Sequence, residues 1–561
     1  MPPPHEVATS SAPAAGPLGI GARLWNLFDR VILSLGRELR VTFLPPLMVY
    51  IAYGIQGITS IAGTFFVKEY LDLSAEWLAA VGFWAGLPWV LKMPVGHVVD
   101  LMWRWKGLLV FLGAGLIAAS VGIMIGLVGY KEAMAAVMPV QSWFLLASVL
   151  APTGYVIQDV VADAMTVEAV PHLDDDGRPV PEAERRVQHA TMQMLGRVAL
   201  IGGIALVAAI NVWLFEGADQ LAPAAKARLY EKVYWMALVI PVVSVLGVIL
   251  GEHFRRRHIA AMRASGVPAA DIDRALHGHA AERTHVNWWI LGGGLAFAAF
   301  SIGVGSTGYR WKEEIVFAGS MAIVIFVMAK LLRELDPAAR RTLLGTAIVI
   351  FIARATPAAG SGATWWQIDE LGFDQSFLAK LQLITSMLTL AGMFLFRKFV
   401  AERSLAYVVG FLTVIGVFLS LPTIGMYYGL HHWTAAHTGG VVDARFIAVL
   451  DTMLESPFGQ VMMIPMLAWI ANSAPEKLKA TFFAVMASFT NLALSASQLG
   501  TKYLNGVYTV TREVKDAATG AVKVAADYSE LGELLIVVLV VGTVLPFAAI
   551  ALTRLLGWRT A

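Results

Sequence analysis

Apolar runs, each about 20 residues long, follow one another from Pro45 to Trp558 with short polar breaks between them. A bilayer core takes about 20 helical residues to cross, and backbone amides in hydrocarbon must be satisfied within a helix. The runs therefore predict membrane-spanning helices. They lie at roughly 44–66, 77–99, 107–129, 142–167, 188–214 and 233–251, then 287–307 and 314–333, then 342–365, 376–399, 404–427, 444–471, 479–504 and 531–555.

This arrangement predicts an all-α integral membrane protein of about 14 spans, in which two six-helix bundles flank an extra central helix pair. The expected segments are a disordered Pro/Ala/Ser-rich tail at 1–21, an amphipathic interfacial helix at 22–40, a first bundle at 41–252, a basic linker with the extra pair at 253–341, and a second bundle at 342–561. For 22–40 the alternative is a simple cytoplasmic start to the first span. Residues 507–528 alternate and contain a turn signal, which indicates an extracellular β-hairpin.

Positive charges set the expected orientation, because Lys and Arg collect in the short cytoplasmic loops of membrane proteins. Here they collect in alternate loops, with exceptions at Arg310, Lys312 and 506–530. We therefore expect a cell (inner) membrane protein with both termini in the cytoplasm. The loop residues on that side include Arg104, Lys106, Arg185, Arg186, Arg255, Arg256, Arg257, Arg333, Arg340, Arg341, Arg397, Lys398, Arg403, Lys477, Lys479, Arg554 and Arg559.

Composition narrows the classes of function. Hydrophobic residues make up 57% of the chain and charged residues 15%, against roughly 25% charged in a soluble domain. The net charge of +2 argues against a nucleic-acid partner, and the lack of cysteine excludes disulfides, thiolate metal sites and cysteine nucleophiles. Asp174, Asp175 and Asp176 could hold a divalent ion for a membrane transferase, but acidic loops are usually solvated. We expect no enzyme, no cofactor and no metal, and a monomer in the lipid bilayer.

Lone charges inside the apolar runs are the candidate chemistry, because an ionisable group at the helix centre costs at least about 2.5 kcal/mol. Asp159 and Asp163 are four residues apart in the fourth span, on one helix face and about 6 Å apart. Like charges that close hold a proton more tightly, as a proton carrier requires. The alternative is that this span ends early and both aspartates pair with Arg185 or Arg186 in the cytoplasm.

A second acidic pair has the same spacing in the second bundle. Asp451 and Glu455 lie deep in the tenth core span and are also candidates for proton coupling, unless they form a structural ion pair with Arg354 or Lys380. Arg354 and Arg197 could each bind a substrate carboxylate through two hydrogen bonds. Arg354 is the stronger candidate, because its depth leaves no easy route for the side chain to reach the interface.

Lys92 in the second span could contact a substrate anion or neutralise Asp159 or Asp163, and the residues alone do not separate these roles. Aromatic and amide side chains could stack on a planar ring and bind its edge. The set comprises Tyr53, Gln56, Trp84, Trp89, Trp365, Trp366, Gln367, Asn491 and Gln498. For Trp365 and Trp366 an aromatic belt at the membrane interface is the alternative.

A short motif at the end of the second span, LPWVLKMPVGHVVDLMWRWKG, contains Gly96, Asp100, Arg104 and Lys106. It resembles the Gly-x-x-x-Asp loop of the major facilitator superfamily, in which Gly96 would allow close helix approach and Asp100 could pair with a basic group to close the inward gate. Three further stretches, QDVVADAMTVEA, ATPAAGSGATWWQIDELGFDQSFLAKL and SAPEKLKATFFAVMASFTNLALSASQLG, together with this one resemble the folate/biopterin transporter family of that superfamily.

The resemblance implies a major facilitator fold and a secondary active transporter that moves a small, anionic, folate-like or pterin-like solute by alternating access, coupled to protons. Two departures from the family pattern stand out. Met93 separates Lys92 from Pro94, whereas the family has proline directly after the lysine, and the pair at 287–333 is additional to twelve helices. The alternatives are an exporter of another small molecule and a non-transporting membrane receptor or assembly factor.

Overall fold

The structure, a computed structural model, describes residues 40–71, 73–170, 178, 180–269, 272, 286–333, 337–396, 399, 403–459, 461, 479–515 and 522–558. The predicted tail at 1–21, the interfacial helix at 22–40 apart from Arg40, and the acidic loop Asp174 to Asp176 lie outside this part of the chain. Within the described residues nearly all of the chain is helical, as predicted.

The described residues of the first bundle form ten α-helices, and glycines in them allow close packing. They are α1 Leu44–Gly54, α2 Ile58–Tyr70, α3 Ala75–Gly86, α4 Lys92–Leu101, α5 Lys106–Gly129, α6 Lys131–Val137, α7 Val140–Glu168, α8 Glu182–Leu214, α9 Pro223–Ala237 and α10 Val239–Ala264. A Cβ added at Gly113 of α5 would lie 2.7 Å from the carbonyl oxygen of Gly154 on α7. Only glycine permits the two backbones to approach this closely.

The extra pair and the second bundle follow in the order that the sequence predicts. The pair is α11 Trp288–Gly305 and α12 Lys312–Leu332. The second bundle contains α13 Pro337–Arg354, α14 Ser361–Asp369, α15 Gln375–Leu395, α16 Leu405–Tyr427, α17 Leu430–His437, α18 Ala444–Glu455, α19 Lys479–Val507 and α20 Leu531–Leu555. Between α19 and α20, β1 Val514–Lys515 pairs antiparallel with β2 Val522–Val524, which confirms the predicted hairpin.

Several of the predicted spans are interrupted, the first of them by a 3-10 segment at Ile55–Gly57. The second span contains a 3-10 segment at Leu87–Leu91 between α3 and α4. The prediction of one continuous seventh core span at 342–365 is wrong, because α13 ends at Arg354 and α14 begins only at Ser361. Pro357 lies in this gap, and Gly360 has a φ of 77°, a backbone conformation that favours glycine.

Ten helical stretches in the described part of the chain are long and apolar enough to cross a membrane. They are Val41–Tyr70, Ala75–Leu101, Lys106–Gly129, Val140–Thr166, Met194–Leu214, Pro223–Ala264, Trp288–Gly305, Gln375–Met393, Leu405–Tyr427 and Leu531–Leu555. The remaining predicted spans correspond to α12, to the broken α13 and α14, to α18, and to α19; the predicted span that contains α18 extends to 471, outside the described residues. The count of 14 stays a prediction.

The two bundles meet along two helix pairs, α3 with α19 and α8 with α15. We call the end of the molecule that carries the β-hairpin the hairpin side and the opposite end the basic side. The extra helices α11 and α12 pack on each other, on α4 of the first bundle and on α19 of the second. The pair therefore contacts both bundles at one of the two seams between them.

Candidate functional site

Three helices of the first bundle bring a lysine, two aspartates and a tyrosine together. The ammonium Nζ of Lys92 on α4 lies 2.5 Å from Oδ2 of Asp159 and 3.2 Å from Oδ2 of Asp163, both on α7. The hydroxyl of Tyr50 on α1 donates to Oδ1 of Asp163 over 2.5 Å. The alternative in which both aspartates pair with Arg185 or Arg186 is therefore wrong, because a buried lysine neutralises them inside the bundle.

The two aspartates of this cluster differ in how far their side chains are buried. The side chains of Lys92 and Asp159 are 19% and 14% exposed, whereas that of Asp163 is 44% exposed. A carboxylate facing lipid at this depth is costly, so we expect the exposed side of Asp163 to face water rather than lipid. Arg197 on α8 lies within electrostatic range of both Asp159 and Tyr50. The cluster thus combines a closed ion pair with one accessible carboxylate.

An aromatic layer lies one helical turn closer to the hairpin side than this cluster. The ring of Tyr53 meets the ring of Trp89 edge-on at 5.7 Å between centroids and that of Tyr155 at 5.4 Å. The side chain of Gln56 lies near the hydroxyl of Tyr53. Tyr53, Trp89 and Tyr155 are each three or four residues from a member of the charged cluster on the same helix or span. Stacked aromatic and ionic layers can contact the ring and the charge of one planar anion.

Side chains of α19 cross from the second bundle to the interrupted second span. The hydroxyl of Ser488 donates to the carbonyl of Val90 over 2.8 Å, and Nδ2 of Asn491 donates to the carbonyl of Trp89 over 3.2 Å. Because Pro94 has no N–H, the carbonyl of Val90 four residues earlier lacks its usual helical donor. Ser488 supplies that donor from the other bundle. Asn491, predicted to contact substrate, therefore also joins the two bundles.

Arg354 ends α13 at the break in the seventh core span. Its Nε donates to the carbonyl of Thr490 on α19 over 3.2 Å, so one of its donors holds two helices of the second bundle together. A guanidinium has five N–H donors, and this bond uses one of them. Arg354 therefore has a structural contact in addition to the predicted role as a substrate anchor.

The second acidic pair has different surroundings from the first. Oδ2 of Asp451 accepts a hydrogen bond of 3.4 Å from Thr423 on α16, and its Oδ1 is buried without a partner among the described residues. Glu455, one turn later, is exposed. The structural ion pair of Asp451 with Arg354 or Lys380 is therefore absent from the part of the chain that the structure describes, and Asp451 keeps an unsatisfied carboxylate oxygen.

The gate motif at the basic side is arranged differently from the expectation. A Cβ on Gly96 would lie 3.8 Å from Val160, an ordinary contact, so the predicted close helix approach at Gly96 is wrong. Lys106 pairs with Glu168 and lies over the ring of Trp103. Asp100 has no ion pair with any described side chain, and the side chain of Arg104 lies outside the described residues.

The remaining aromatic and amide candidates lie apart from the charged cluster. Trp365 and Trp366 are 2% and 4% exposed and belong to a core cluster at the hairpin side, so the aromatic-belt reading of both is wrong. Trp84 donates to Glu313 of α12 over 3.0 Å. Gln498 lies against Gly82 at the seam of α3 and α19. We assign none of Trp365, Trp366, Trp84 and Gln498 to the charged cluster around Lys92 or to the aromatic layer beside it.

Sequence reasoning missed the contacts that close the hairpin side. Lys68 at the end of α2 forms a buried ion pair with Asp369 at the end of α14. Oδ2 of Asp369 also accepts from the hydroxyl of Tyr528 over 2.5 Å. Gln375 on α15 donates to the hydroxyl of Tyr230 on α9 over 2.9 Å. The contacts of Lys68 with Asp369 and of Gln375 with Tyr230 join the first bundle to the second, whereas Tyr528 holds Asp369 within the second bundle. In the sequence each of these residues looks like an ordinary loop or helix-end residue.

Burial and the carboxylate of Asp369 raise the pKa of Tyr528, so its hydroxyl remains a donor throughout the physiological pH range. Asp527 beside it is different, because hydrogen bonds from the side chain and backbone of Ser529 lower its pKa. The end of the hairpin is thus held by a permanent donor and a permanent acceptor.

Known proteins match this chain in part of the sequence and in the fold. Residues 315–557 match the profile of the BT1 family. A folate-biopterin transporter of Synechocystis sp. is 30% identical over 154 residues, which is 28% of this chain and 30% of that protein. A putative folate transporter 2 of Plasmodium berghei is 25% identical over 167 residues, which is 29% of this chain and 34% of that protein. The matched stretches thus span about a third of these relatives' lengths.

Solved structures match over nearly the whole chain. A mutant of the nucleoside transporter NupG superposes with a TM-score of 0.53 and 12% identity, covering 91% of this chain and 99% of that one. A POT family transporter in complex with 5-aminolevulinic acid gives a TM-score of 0.52 and 12% identity, covering 93% and 96%. The chain is therefore an integral membrane protein with the major facilitator fold, and its sequence resembles the folate/biopterin transporters.

Proposed function

We propose that this protein is a secondary active transporter that moves a small anionic solute, folate-like or pterin-like, by alternating access and in symport with protons. The observation that carries the proposal is Lys92, buried between Asp159 and Asp163 inside the first bundle. A buried ion triad costs desolvation free energy that hydrophobic residues would avoid. Such a group on adjoining spans of this fold is best explained by protonation and release during transport.

Coupling follows from the competition for Lys92. When Asp163 accepts a proton, it ceases to hold the ammonium, and Lys92, which keeps Asp159 as its partner, can then attract a substrate carboxylate in place of Asp163. Loss of that proton restores the triad and displaces the anion. Tyr50, which donates to Asp163, orients the carboxylate for this exchange. The substrate ring would stack on the layer of Tyr53, Trp89 and Tyr155.

The resemblance to folate and biopterin transporters supports the substrate class. A pterin has a flat heteroaromatic ring with a hydrogen-bonding edge, and a folate carries carboxylates as well. The aromatic layer suits the ring, Asn491 and Gln56 suit its edge, and Lys92, Arg197 and Arg354 suit the carboxylates. We assign Asp451 and Glu455 to proton coupling in the second bundle, where the unpaired Oδ1 of Asp451 is a site for a proton.

Uptake by proteoliposomes with and without an imposed pH gradient tests the proposal. We expect accumulation of labelled folate or pterin only with the gradient, and its loss in Asp163→Asn, Asp451→Asn and Glu455→Gln variants that remain folded and inserted. Wild-type gradient-driven uptake by these variants would contradict the coupling roles. Efflux against the gradient would support the exporter alternative, and binding without movement of either folate or pterin would support a receptor.

The anchor role of Arg354 has its own test. Arg354→Lys keeps the charge but loses the planar fork, so affinity should fall by about 1.5–3 kcal/mol for one charge-assisted hydrogen bond. Arg354→Ala should weaken binding of a carboxylate ligand further and leave binding of its amide nearly unchanged. Titration calorimetry of acid and amide with both variants measures this. Equal losses for the two ligands would mean that Arg354 has a structural role and does not anchor the carboxylate.

A further inference from the structure

The β-hairpin between α19 and α20 belongs firmly to the second bundle. Thr511 and Asp527 exchange two backbone hydrogen bonds of 2.9 Å at its base. The hydroxyl of Tyr427 on α16 donates to the carbonyls of Tyr528 and Ser529. Glu513 donates its N–H to Asp369 over 3.1 Å. The described part of the hairpin therefore moves with the second bundle.

Arg512 extends from this hairpin to the first bundle. It is 5% exposed, and its three nitrogens donate to the carbonyls of Lys68, Leu71 and Leu73, over 2.8 Å from Nε to Lys68 and 2.6 Å from Nη1 to Leu73. The last carbonyls of a helix have no partners within it, and α2 ends at Tyr70. Arg512 thus caps the end of α2 and the turn after it, while its guanidinium lies 5.2 Å from the ring centroid of Trp365.

The ion pair of Lys68 with Asp369 lies beside this cap and also joins the two bundles. Asp369 is fixed by Tyr528 and Glu513 of the hairpin, so both contacts depend on the same segment. A change to a state open at the hairpin side must break the three bonds of Arg512 and the ion pair together. The four acceptors are three backbone carbonyls and the carboxylate of Asp369, and the donors are the charged groups of Arg512 and Lys68. Water can solvate all of these groups once they are exposed, so the break is reversible.

We propose that the hairpin is a latch that keeps the hairpin side closed, with Arg512 as the residue that holds the first bundle. The proposal rests on the proposed transport function, in which the closed hairpin side is one of two states. Arg512 sets the balance between those states without contacting the substrate layer. Weakening it should favour the state open at the hairpin side.

A cysteine reporter can measure this balance, because the chain has no cysteine of its own. Ala379 on α15 is fully buried and packs in a cluster with Phe65 and Phe66 of α2. It lies one turn from Gln375, on the hairpin side. Ala379→Cys in purified protein in nanodiscs should react with a water-soluble maleimide only when the hairpin side opens.

Arg512→Gln should raise the alkylation rate of Ala379→Cys about tenfold or more, because losing one charge-assisted hydrogen bond already shifts an equilibrium by about that factor. Arg445→Gln is the matched control. Arg445 is also an arginine at the hairpin side, but it donates to Gly372 and Asp374, both in its own bundle. The control should leave the rate within about twofold of that of Ala379→Cys alone.

Thermal melting and gel filtration identify variants that have unfolded. Should Arg512→Gln fail to fold, Arg512→Lys decides instead, since it keeps the charge, loses the three-way geometry, and should give a smaller but clear rise. An unchanged rate in the folded variant, or an equal rise in Arg445→Gln, would overturn the latch. Uptake is measured separately on the same variants, so absence of transport in every variant would count against the proposed function and leave the alkylation result readable.

Discussion

Lys92 illustrates how one residue can link burial to function. Its ammonium has two carboxylate partners, and only Asp163 has substantial access to solvent. Removing one partner of a buried ion pair usually costs about 3–5 kcal/mol, because the remaining charge is left without compensation. Replacing both partners can be nearly neutral, because no uncompensated charge is then left buried.

We therefore expect Lys92→Met to lower the melting temperature of the detergent-solubilised protein strongly, since Asp159 is then buried unpaired beside Asp163. Lys92→Met with Asp159→Asn should recover most of that loss, with a coupling free energy of about 2–3 kcal/mol in a double-mutant cycle. Scanning fluorimetry of the four proteins measures it. Purely additive losses would mean that the ion pair contributes little. Neither variant should support gradient-driven uptake.

Some of the site could be predicted from single residues and some could not. Asp159, Asp163 and Lys92 interrupt apolar runs, so their cost in lipid marks them at once. Tyr50 gives no such signal, because a tyrosine in a span is ordinary and its partner Asp163 lies on another helix. Arg512 is harder still, since its importance depends on three backbone carbonyls far away in the sequence. Every residue has a backbone carbonyl, so the sequence does not indicate which carbonyls a side chain will bind.

At the scale of elements, the interrupted second span contains a backbone carbonyl whose hydrogen-bond donor comes from the other bundle. Pro94 removes a helical donor, and Ser488 of the other bundle replaces it. The sequence shows Pro88, Pro94 and an apolar run, which predicts a span and permits a kink. It cannot show which residue satisfies the freed carbonyl. The broken seventh core span was missed for a different reason, because residues 355–360, ATPAAG, are uncharged and continue the run between the two helices.

Ser488→Ala should destabilise the protein by about 1–3 kcal/mol, the cost of leaving the buried carbonyl of Val90 unsatisfied. In a Pro94→Ala background the restored N–H can bond that carbonyl, so the same change should cost less than about 1 kcal/mol. Thr413→Ala is the control, since its hydroxyl bonds a carbonyl one turn earlier on its own helix. Equal costs of Ser488→Ala in both backgrounds would contradict the role of Pro94.

The extra helices α11 and α12 are held by charges as well as by apolar packing. Glu313 accepts from Trp84 of the first bundle, and Lys502 of α19 lies 3.2 Å from Glu313 and 3.1 Å from Glu314. We expect the pair to be dispensable for binding, because in the sequence it interrupts two otherwise matched bundles. Its loss would leave Lys502 without its acidic partners.

We therefore predict that deletion of 286–335 combined with Lys502→Gln keeps substrate affinity within about threefold, less than one lost hydrogen bond. The deletion alone should be less stable, because Lys502 then lacks Glu313 and Glu314. Binding by calorimetry and melting in the same detergent compare the two. Loss of binding in the inserted, folded double variant would place the pair in the substrate cavity.

At the scale of the whole molecule, the succession of spans, the hairpin and the two matched bundles could be predicted because bilayer thickness and backbone satisfaction leave few alternatives. The way the bundles meet could not. Two seams, α3 with α19 and α8 with α15, join helices far apart in the sequence. The seam that α19 forms uses glycines of α3 and backbone carbonyls of the second span, which leave no periodic pattern. The expected sidedness of the assembly rests on loop charges, which the sequence does show.

That sidedness gives a prediction for intact cells. Basic loops favour the cytoplasm, so the basic side should face inward and the hairpin side outward. In the cysteine-free chain, Val441→Cys lies in the exposed turn after α17 and Ala264→Cys at the exposed end of α10. An impermeant maleimide should label Val441→Cys in intact cells and Ala264→Cys only after permeabilisation. The reverse labelling pattern would mean that the topology is inverted. The hairpin side, which the Arg512 latch closes, would then face the cytoplasm.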